Sequence, residues 1–243
     1  MKHTRKNSLV ALAIVLTASV SACGSAHSRG GSASSTSTGP PAAKGRVTLR
    51  GTARLDGTAF DAEFIGAVVL DAGLATPCNV TIPTVVGGHF ALDVFGANEL
   101  AGCGRPGATV VLWTYSRDTK LYSSRAIHWP TGHAATATVD FSRADPRGAA
   151  PAVLELSGAV HRADGSQVPA GERVDAYIGN TLCGVASVRT GVFDGYILHV
   201  VGPDSIPACR NGATVTFRVD GAPIVQTIVN GSPPPRQFDL ALR

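Results

Sequence analysis

Residues 90–96, FALDVFG, and residues 196–202, YILHVVG, are two versions of one motif at a constant offset of 106. The agreement resumes further along the chain, where GATV occupies residues 107–110 and again residues 212–215. A unit of about 95 to 105 residues is therefore present twice. A repeat of this length indicates a domain duplication, because solenoid repeats have periods of about 20 to 50 residues.

Each copy of the unit consists of short stretches in which apolar residues alternate with polar or small ones. This two-residue period is typical of half-buried β-strands. Asp-Gly pairs at 56–57, 164–165 and 220–221 suit tight turns, because both residues tolerate positive φ. The expected strands are Val47–Ala53, Phe90–Val94, Ala108–Tyr115 and Thr136–Phe141 in the first copy, and Leu154–Val160, Tyr196–Val200, Ala213–Val219 and Gln237–Leu242 in the second. We expect an all-β fold of two tandem antiparallel β-sandwiches, Ig-like or prealbumin-like, with one helical turn in residues 95–101.

The duplication sets the expected domain boundaries. They are a signal peptide at 1–22, a flexible tether at 23–44, module 1 at 45–142, a linker at 143–151 and module 2 at 152–243. Three basic residues within 1–7 precede an apolar run at 8–20, which is too short to span a bilayer and is typical of a secretory signal. Residues 24–44 contain no large apolar side chain, so they cannot bury enough surface to offset the entropy of ordering.

Composition and charge argue against a nucleic-acid partner. Charged residues make up 16% of the 243 residues, against a usual share of about 25%. The net charge is only +4, and no cluster of Lys and Arg lies outside the first seven residues. A surface that binds phosphate backbones needs such a cluster.

Val20-Ser21-Ala22-Cys23 ends the apolar run and resembles the lipobox of bacterial lipoproteins. The resemblance implies that the Cys23 thiol receives a diacylglycerol and that the peptide is cut just before it. The mature chain would then be held by acyl chains, such as palmitate, on the extracytoplasmic face of a bacterial membrane. The alternative is an ordinary signal peptide in which Cys23 is an incidental thiol.

Four cysteines remain once Cys23 is set aside, and they form two similarly spaced pairs. For an exported chain we expect disulfides, and the repeat favours Cys78–Cys103 and Cys183–Cys209, which each module forms by itself. The alternative is a zinc site made by all four thiolates, but the close Cys-x-x-Cys pairs of such sites are missing. We expect no metal and no cofactor.

The repeated pattern of a cysteine, a short strand, a second cysteine and Gly-Ala-Thr-Val resembles tandem surface modules of bacterial lipoproteins. More loosely, it is similar to the carboxypeptidase-regulatory and collagen-adhesin B-type sandwiches. Adhesin-type modules often carry a Lys-Asn isopeptide bond. Lys120 is the only lysine after residue 44, so that cross-link is excluded in module 2.

Catalytic motifs are missing from the sequence. It contains no Gly-x-Ser-x-Gly elbow, no phosphate-binding Gly-x-x-x-x-Gly-Lys and no His-Glu-x-x-His. His128 and His133 flank a Trp-Pro-Thr-Gly turn, but no carboxylate is suitably spaced to complete a metal site, so we expect surface histidines. His89 and His199 occupy positions that differ between the copies, which favours a solvent-facing location for both.

Trp113 and Tyr115 occur only in module 1 and share strand parity, so both rings are expected on one face. If that face is exposed, it offers a stacking platform for a sugar or an anchor for a protein. The alternative is that both rings are core residues, because one face of a sandwich strand is buried. Parity alone does not decide between these two placements.

The sequence favours a lipid-anchored, non-enzymatic extracytoplasmic protein with structural or binding roles. Its expected partners are the membrane, through the lipid on Cys23, and an envelope protein or polysaccharide. The alternative function is a carbohydrate-binding protein that uses Trp113 and Tyr115, and a less favoured one is a hydrolase.

Overall fold

β-strands are the only regular elements in residues 45–190 and 194–242, which are the residues that the computed structural model describes. The all-β expectation is therefore confirmed. Pro41–Arg243 form one compact unit. The signal peptide, the tether and Cys23 lie outside the described residues.

Within the described residues, no helix has the length and hydropathy that crossing a membrane requires.

Module 1 contains two sheets that face each other. Its strands are β1 (Val47–Leu55), β2 (Thr58–Ala59), β3 (Ile65–Asp71), β4 (Leu74–Pro77), β5 (His89–Val94), β6 (Thr109–Ser116), β7 (Thr119–Tyr122), β8 (Ile127–His128) and β9 (Ala134–Phe141). One sheet holds β2, β1, β5 and β9, with β1 paired to each of the others. The second has the order β4-β3-β6-β7, with β8 also on β6.

Module 2 repeats this pairing scheme. Its strands are β10 (Val153–Gly158), β11 (Val160–His161), β12 (Arg173–Ile178), β13 (Thr181–Ser187), β14 (Tyr196–Val201), β15 (Thr214–Val219), β16 (Ala222–Val229) and β17 (Leu240–Ala241). β10 pairs with β14 as β1 pairs with β5, and β13-β12-β15-β16 corresponds to β4-β3-β6-β7.

Each module contains one parallel strand pair, where the sequence predicted antiparallel pairing throughout. β1 runs parallel to β9, and β11 runs parallel to β17. The first and last strands of a module can lie side by side in this way because the whole module serves as the crossover connection. A Cβ atom on Gly51 would overlap the carbonyl oxygen of Ala137, and one on Gly158 would overlap that of Phe238. Glycine at these matched positions therefore allows the parallel strand to approach.

The hairpin turns follow the expected chemistry at two of the three Asp-Gly pairs. Asp56 and Gly57 have φ of 50° and 83°, and Asp220 and Gly221 have 46° and 83°. Both residues of each pair thus adopt the left-handed conformation of a type I′ turn. The helical turn expected in residues 95–101 is reduced to bends and turns, with one helix-like hydrogen bond from Leu100 N to the Gly96 carbonyl, 3.0 Å.

Two apolar cores are present, and residues of module 1 contribute to both. The first core lies between the two sheets of module 1 and includes Val69. The second lies in module 2, yet it also includes Val68 and Ala75 from β3 and β4. Val68 and Val69 are neighbours whose side chains point to opposite faces of β3, and they are 2% and 0% exposed. The outer face of this module 1 sheet is therefore packed against module 2.

Both expected disulfides are present. Cys78 is bonded to Cys103 with a Cα–Cα distance of 5.6 Å, and Cys183 is bonded to Cys209 at 5.8 Å. Each disulfide closes a loop inside one module. In module 1 it joins the end of β4 to the turn before β6, and in module 2 it joins β13 to the turn before β15. All four cysteines are buried. Because the thiols are consumed in pairs, the four-thiolate zinc alternative is wrong.

Candidate functional site: the cleft between the modules

The two modules meet along β4 of module 1 and the β13–β14 surface of module 2. Ala75 of β4 is 1% exposed and belongs to the module 2 core. Gly102 has φ of +79°, and a Cβ atom there would overlap the side chain of Val185. The backbone of module 1 therefore lies directly against module 2 at this point, and a larger residue at 102 would force the modules apart.

Arg189 of module 2 reaches back to module 1 at the rim of this contact. Its guanidinium donates to the Pro77 carbonyl and, at 3.3 Å, to the Asn79 carbonyl. It also lies 5.8 Å from the centre of the Phe95 ring. Burial lowers the pKa of Arg189 to about 10, which leaves it charged at neutral pH. One half-buried cation thus satisfies the last carbonyl of β4 and a carbonyl just after that strand, and it links the two modules.

A cleft of about 810 Å³ opens beside this contact, between the two modules. Its module 1 wall carries Phe64, Trp113 and Tyr115, whose rings contact one another edge to face at centroid distances of 5.4 to 6.0 Å. Its module 2 side includes β10, β14 and the segment before β17. Tyr115 is 39% exposed, whereas Trp113 is half-buried. The cleft is within the usual size range of ligand sites.

Trp113 does not present a free ring face to this cleft. A Cβ atom on Gly66 would overlap the indole, so the Gly66 backbone packs directly against it. The Lys120 ammonium lies 4.6 Å from the centre of the Trp113 ring. The indole is thus occupied by a glycine and by a cation–π contact, and it also packs against the module 2 core. Of the two residues proposed as a stacking platform, Tyr115 is the more exposed.

Lys120 begins a chain of charged and polar groups that crosses from module 1 to module 2. Its Nζ donates to Oε2 of Glu155 at 2.6 Å, and the same oxygen lies 3.0 Å from Nε2 of His199. Glu155 is on β10 and His199 is directly opposite it on β14. His199 is 1% exposed, and its Nδ1 has no hydrogen-bond partner among the described residues.

The electrostatics of this chain are those of an ion pair with a neutral histidine. Burial acts to raise the pKa of Glu155, but the His199 hydrogen bond and the charge of Lys120 outweigh it and lower the pKa to about 2. Burial lowers the pKa of His199 below its usual value. At neutral pH the carboxylate is therefore ionised and the imidazole neutral. A carboxylate held by two donors is a poor general acid or base, and no nucleophile is bonded to it among the described residues.

The expectation that His199 faces solvent is wrong. His199 lies beneath the contact of module 2 with module 1. Its counterpart in module 1, Asp93, has no such contact above it. Asp93 instead accepts a hydrogen bond from Thr48 at 2.6 Å. Lys120, Glu155 and Arg189 were not singled out as a site by the sequence, although Lys120 is conspicuous as the one lysine after residue 44.

The remaining candidate residues are placed away from the cleft. His89, His128 and His133 are all exposed, as expected. No cluster of three or more potential metal ligands occurs in the described part of the chain. Between the last two histidines, Trp129 is buried against Gly104, where a Cβ atom would overlap its ring.

Comparison with known proteins gives fold-level neighbours only. No protein-family model matches the chain, and no curated protein does. A streptococcal ancillary pilin aligns with 9% identity over 82% of this chain, with a TM-score of 0.25, and the aligned region spans only 62% of that pilin. The shaft pilin SpaA of Lactobacillus rhamnosus GG aligns at 11% identity over 82% of this chain and 98% of its own, with a TM-score of 0.20. A C-terminal fragment of the pilus adhesin SpaC from the same organism aligns at 8% identity over 81% of this chain and 95% of its own, with a TM-score of 0.22. Scores this low support no inference about function.

Proposed function

We propose that this chain is a non-catalytic lipoprotein of the bacterial envelope that presents modules 1 and 2 to a partner as one fixed unit. The observation that carries the proposal is the packing of the outer face of β3 and β4 into the module 2 core. Domains joined by a small or polar interface move relative to each other, whereas a large apolar interface fixes their orientation. A fixed pair suits a structural or presenting role.

Anchoring through Cys23 is part of the same proposal. It rests on the lipobox resemblance, on the apolar run at 8–20 and on the two disulfides, which are typical of exported proteins. The full chain, expressed in a bacterium that lipidates its exported proteins, should incorporate labelled palmitate and partition with membranes. Cys23→Ser should abolish both, while Ser21→Ala, which keeps a small residue in the lipobox, should preserve both. Palmitate incorporation by the Cys23→Ser chain would refute the anchor.

Presentation as a fixed unit is tested by capture from the native envelope. Immobilised Pro41–Arg243 should enrich a saturable partner, and Gly102→Leu should weaken that capture because the added side chain pushes against Val185. Gly107→Leu is the matched control, since that glycine also has positive φ but has nothing within 4 Å of a Cβ position. Equal capture by all three proteins would show that the relative orientation of the modules is irrelevant.

A polysaccharide ligand is the second candidate function, and the exposure of Tyr115 at the cleft favours it. Aromatic rings stack on sugar faces, and Gln167, Arg236 and Gln237 supply polar groups to the same cleft. In a panel of cell-wall and extracellular polysaccharides, Tyr115→Ala should reduce binding. Tyr177→Ala is the control, because that ring lies under Arg218 on module 2 and does not line the cleft. Binding that both variants retain would exclude the cleft as the sugar site.

A further inference from the structure

The β9 strand has an open backbone edge. One side of β9 pairs with β1 along residues 134–141, and the hydrogen bond from Thr48 N to the His133 carbonyl, 2.8 Å, fixes which residues face that side. By the alternation of a strand, the N–H and C=O groups of Ala134, Thr136 and Thr138 point to the other side. In the described residues no hydrogen bond engages those groups. Further along, the Asp140 carbonyl accepts from Ser124 N at 2.7 Å, so the edge is closed only at its end.

The open stretch carries none of the features that normally protect a sheet edge. Residues 134–139 read AATATV, without charge, proline or glycine. Exposed edges are usually blunted by lysine, proline, bulges or a covering loop, because a free ladder of backbone groups is a template for another strand. Thr and Val also favour the extended conformation. The edge is thus preformed for strand addition.

The corresponding edge of module 2 is protected. Residues 235–239 occupy the place of 134–138, because β17 pairs with β11 as the end of β9 pairs with β1. Three successive prolines at 233–235 lead into this segment, and Arg236 and Asp239 place charges on it. Gln237, the counterpart of Thr136, donates to the Asp239 carboxylate at 2.9 Å. The two modules therefore share a topology but differ in edge protection.

We propose that the β9 edge binds a second copy of this chain, through antiparallel pairing of the two β9 strands about a two-fold axis at Thr136. This register sets Thr136 opposite Thr136 and Ala134 opposite Thr138. All the open N–H and C=O groups then pair with each other, since residues that face a neighbouring strand exchange two hydrogen bonds in an antiparallel ladder. The resulting interface is isologous and closed, as in most homodimers.

The side chains on the edge fit antiparallel pairing with a second copy better than parallel pairing with one. The strand is neutral from residue 134 to 139, so self-pairing brings no like charges together. Antiparallel pairing sets the His133 end of one strand near the Asp140 end of the other, whereas parallel pairing would set Asp140 beside Asp140. Threonines opposite each other in neighbouring strands are a favourable pair.

A cysteine at the axis tests the register directly. The Pro41–Arg243 unit contains no other free thiol, because its four cysteines are paired. Residues opposite each other in a hydrogen-bonded antiparallel pair have Cα atoms about 5.5 Å apart, which suits a disulfide. Thr136→Cys should therefore cross-link into a covalent dimer under mild oxidation. Thr138→Cys, equally exposed on the same strand, should not, because two copies of residue 138 would be roughly 14 Å apart at 3.4 Å per residue. Equal cross-linking of both variants, or of neither, would overturn the proposed register.

Sedimentation measures the association without a cross-link. The Pro41–Arg243 unit should shift from one to two chain masses as its concentration rises, and Thr136→Lys should hold it at one by placing two ammonium groups across the axis. Gln237→Lys puts the same charge at the matched edge position of module 2 and should leave the shift unchanged. A wild-type unit that stays at one chain mass at every concentration would overturn the proposal. It would do so even if another protein were found to pair with β9. A dimer that survives Thr136→Lys would overturn it equally.

Discussion

Replacing Val68 with alanine should destabilise the protein as much as replacing Val69, although only Val69 points into the core of its own module. Both side chains are essentially buried, at 2% and 0% exposure. Valine to alanine removes two carbon groups, each contributing about 0.8 kcal/mol when buried. That transfer cost of about 1.6 kcal/mol, with a contribution from the cavity left behind, gives roughly 2 to 3 kcal/mol for each variant.

The measurement is the free energy of unfolding of Pro41–Arg243 in guanidinium, followed by circular dichroism, for the wild type and the two variants. Val69→Ala serves as the internal standard, because its environment lies wholly within module 1. If module 1 were independent of module 2, Val68 would lie on a solvent-exposed sheet face and its replacement would cost no more than about 0.5 kcal/mol. A cost that small, beside a full cost for Val69→Ala, would refute the packing of the two modules.

Three further perturbations have directions set by the structure. The pKa values of Glu155 and His199 both lie below their ordinary values, so the unfolded chain binds more protons than the folded one. The free energy of unfolding should therefore decrease as the pH drops. The histidine causes the decrease below about pH 6.5, and the carboxyl adds to it below about pH 4.5. In urea titrations at several pH values, Glu155→Gln should flatten the lower part of this loss, and an unchanged slope would contradict the ion-pair assignment. Replacing Cys183 and Cys209 by alanine opens a loop closed across 26 positions and should cost about 3.5 kcal/mol, measured by the same denaturation. Gly104→Ala should cost about 1 to 3 kcal/mol through overpacking and alter the near-ultraviolet dichroism of the indole that it displaces, and a spectrum identical to wild type would contradict that contact.

The sequence predicts several strands whose burial alternates, and it misses β3, whose burial does not. β1, β5 and β9 have one face toward a core, and they were expected within two residues at each end. β3 was not predicted, because residues 65–69 are buried without interruption and such a run has no two-residue period. That continuous burial is itself the trace of the module contact. A sheet of an isolated sandwich would have an exposed outer face.

The disulfides followed from spacing and duplication, whereas the cleft did not. Its central groups, Lys120, Glu155 and His199, lie far apart in sequence and come from three different strands. No local sequence motif predicts this group of three residues, because they come together only where module 1 packs against module 2. The aromatic pair was found by its parity, but parity does not show that Lys120 and Gly66 occupy the faces of Trp113.

Differences between the two copies locate the contacts of this molecule better than similarities do. The shared residues, such as the cysteines and the paired Gly51 and Gly158, serve the fold that both modules need. Treating divergent positions as solvent-facing failed at His199, because each copy of a duplicated module has a different neighbour. By the same reasoning, the bare edge at 134–138 and the proline-guarded edge at 233–239 differ because the two strands meet different surroundings. The divergence at the module contact is accounted for by the other module. The divergence at the β9 edge is accounted for by the proposed pairing with β9 of a second copy.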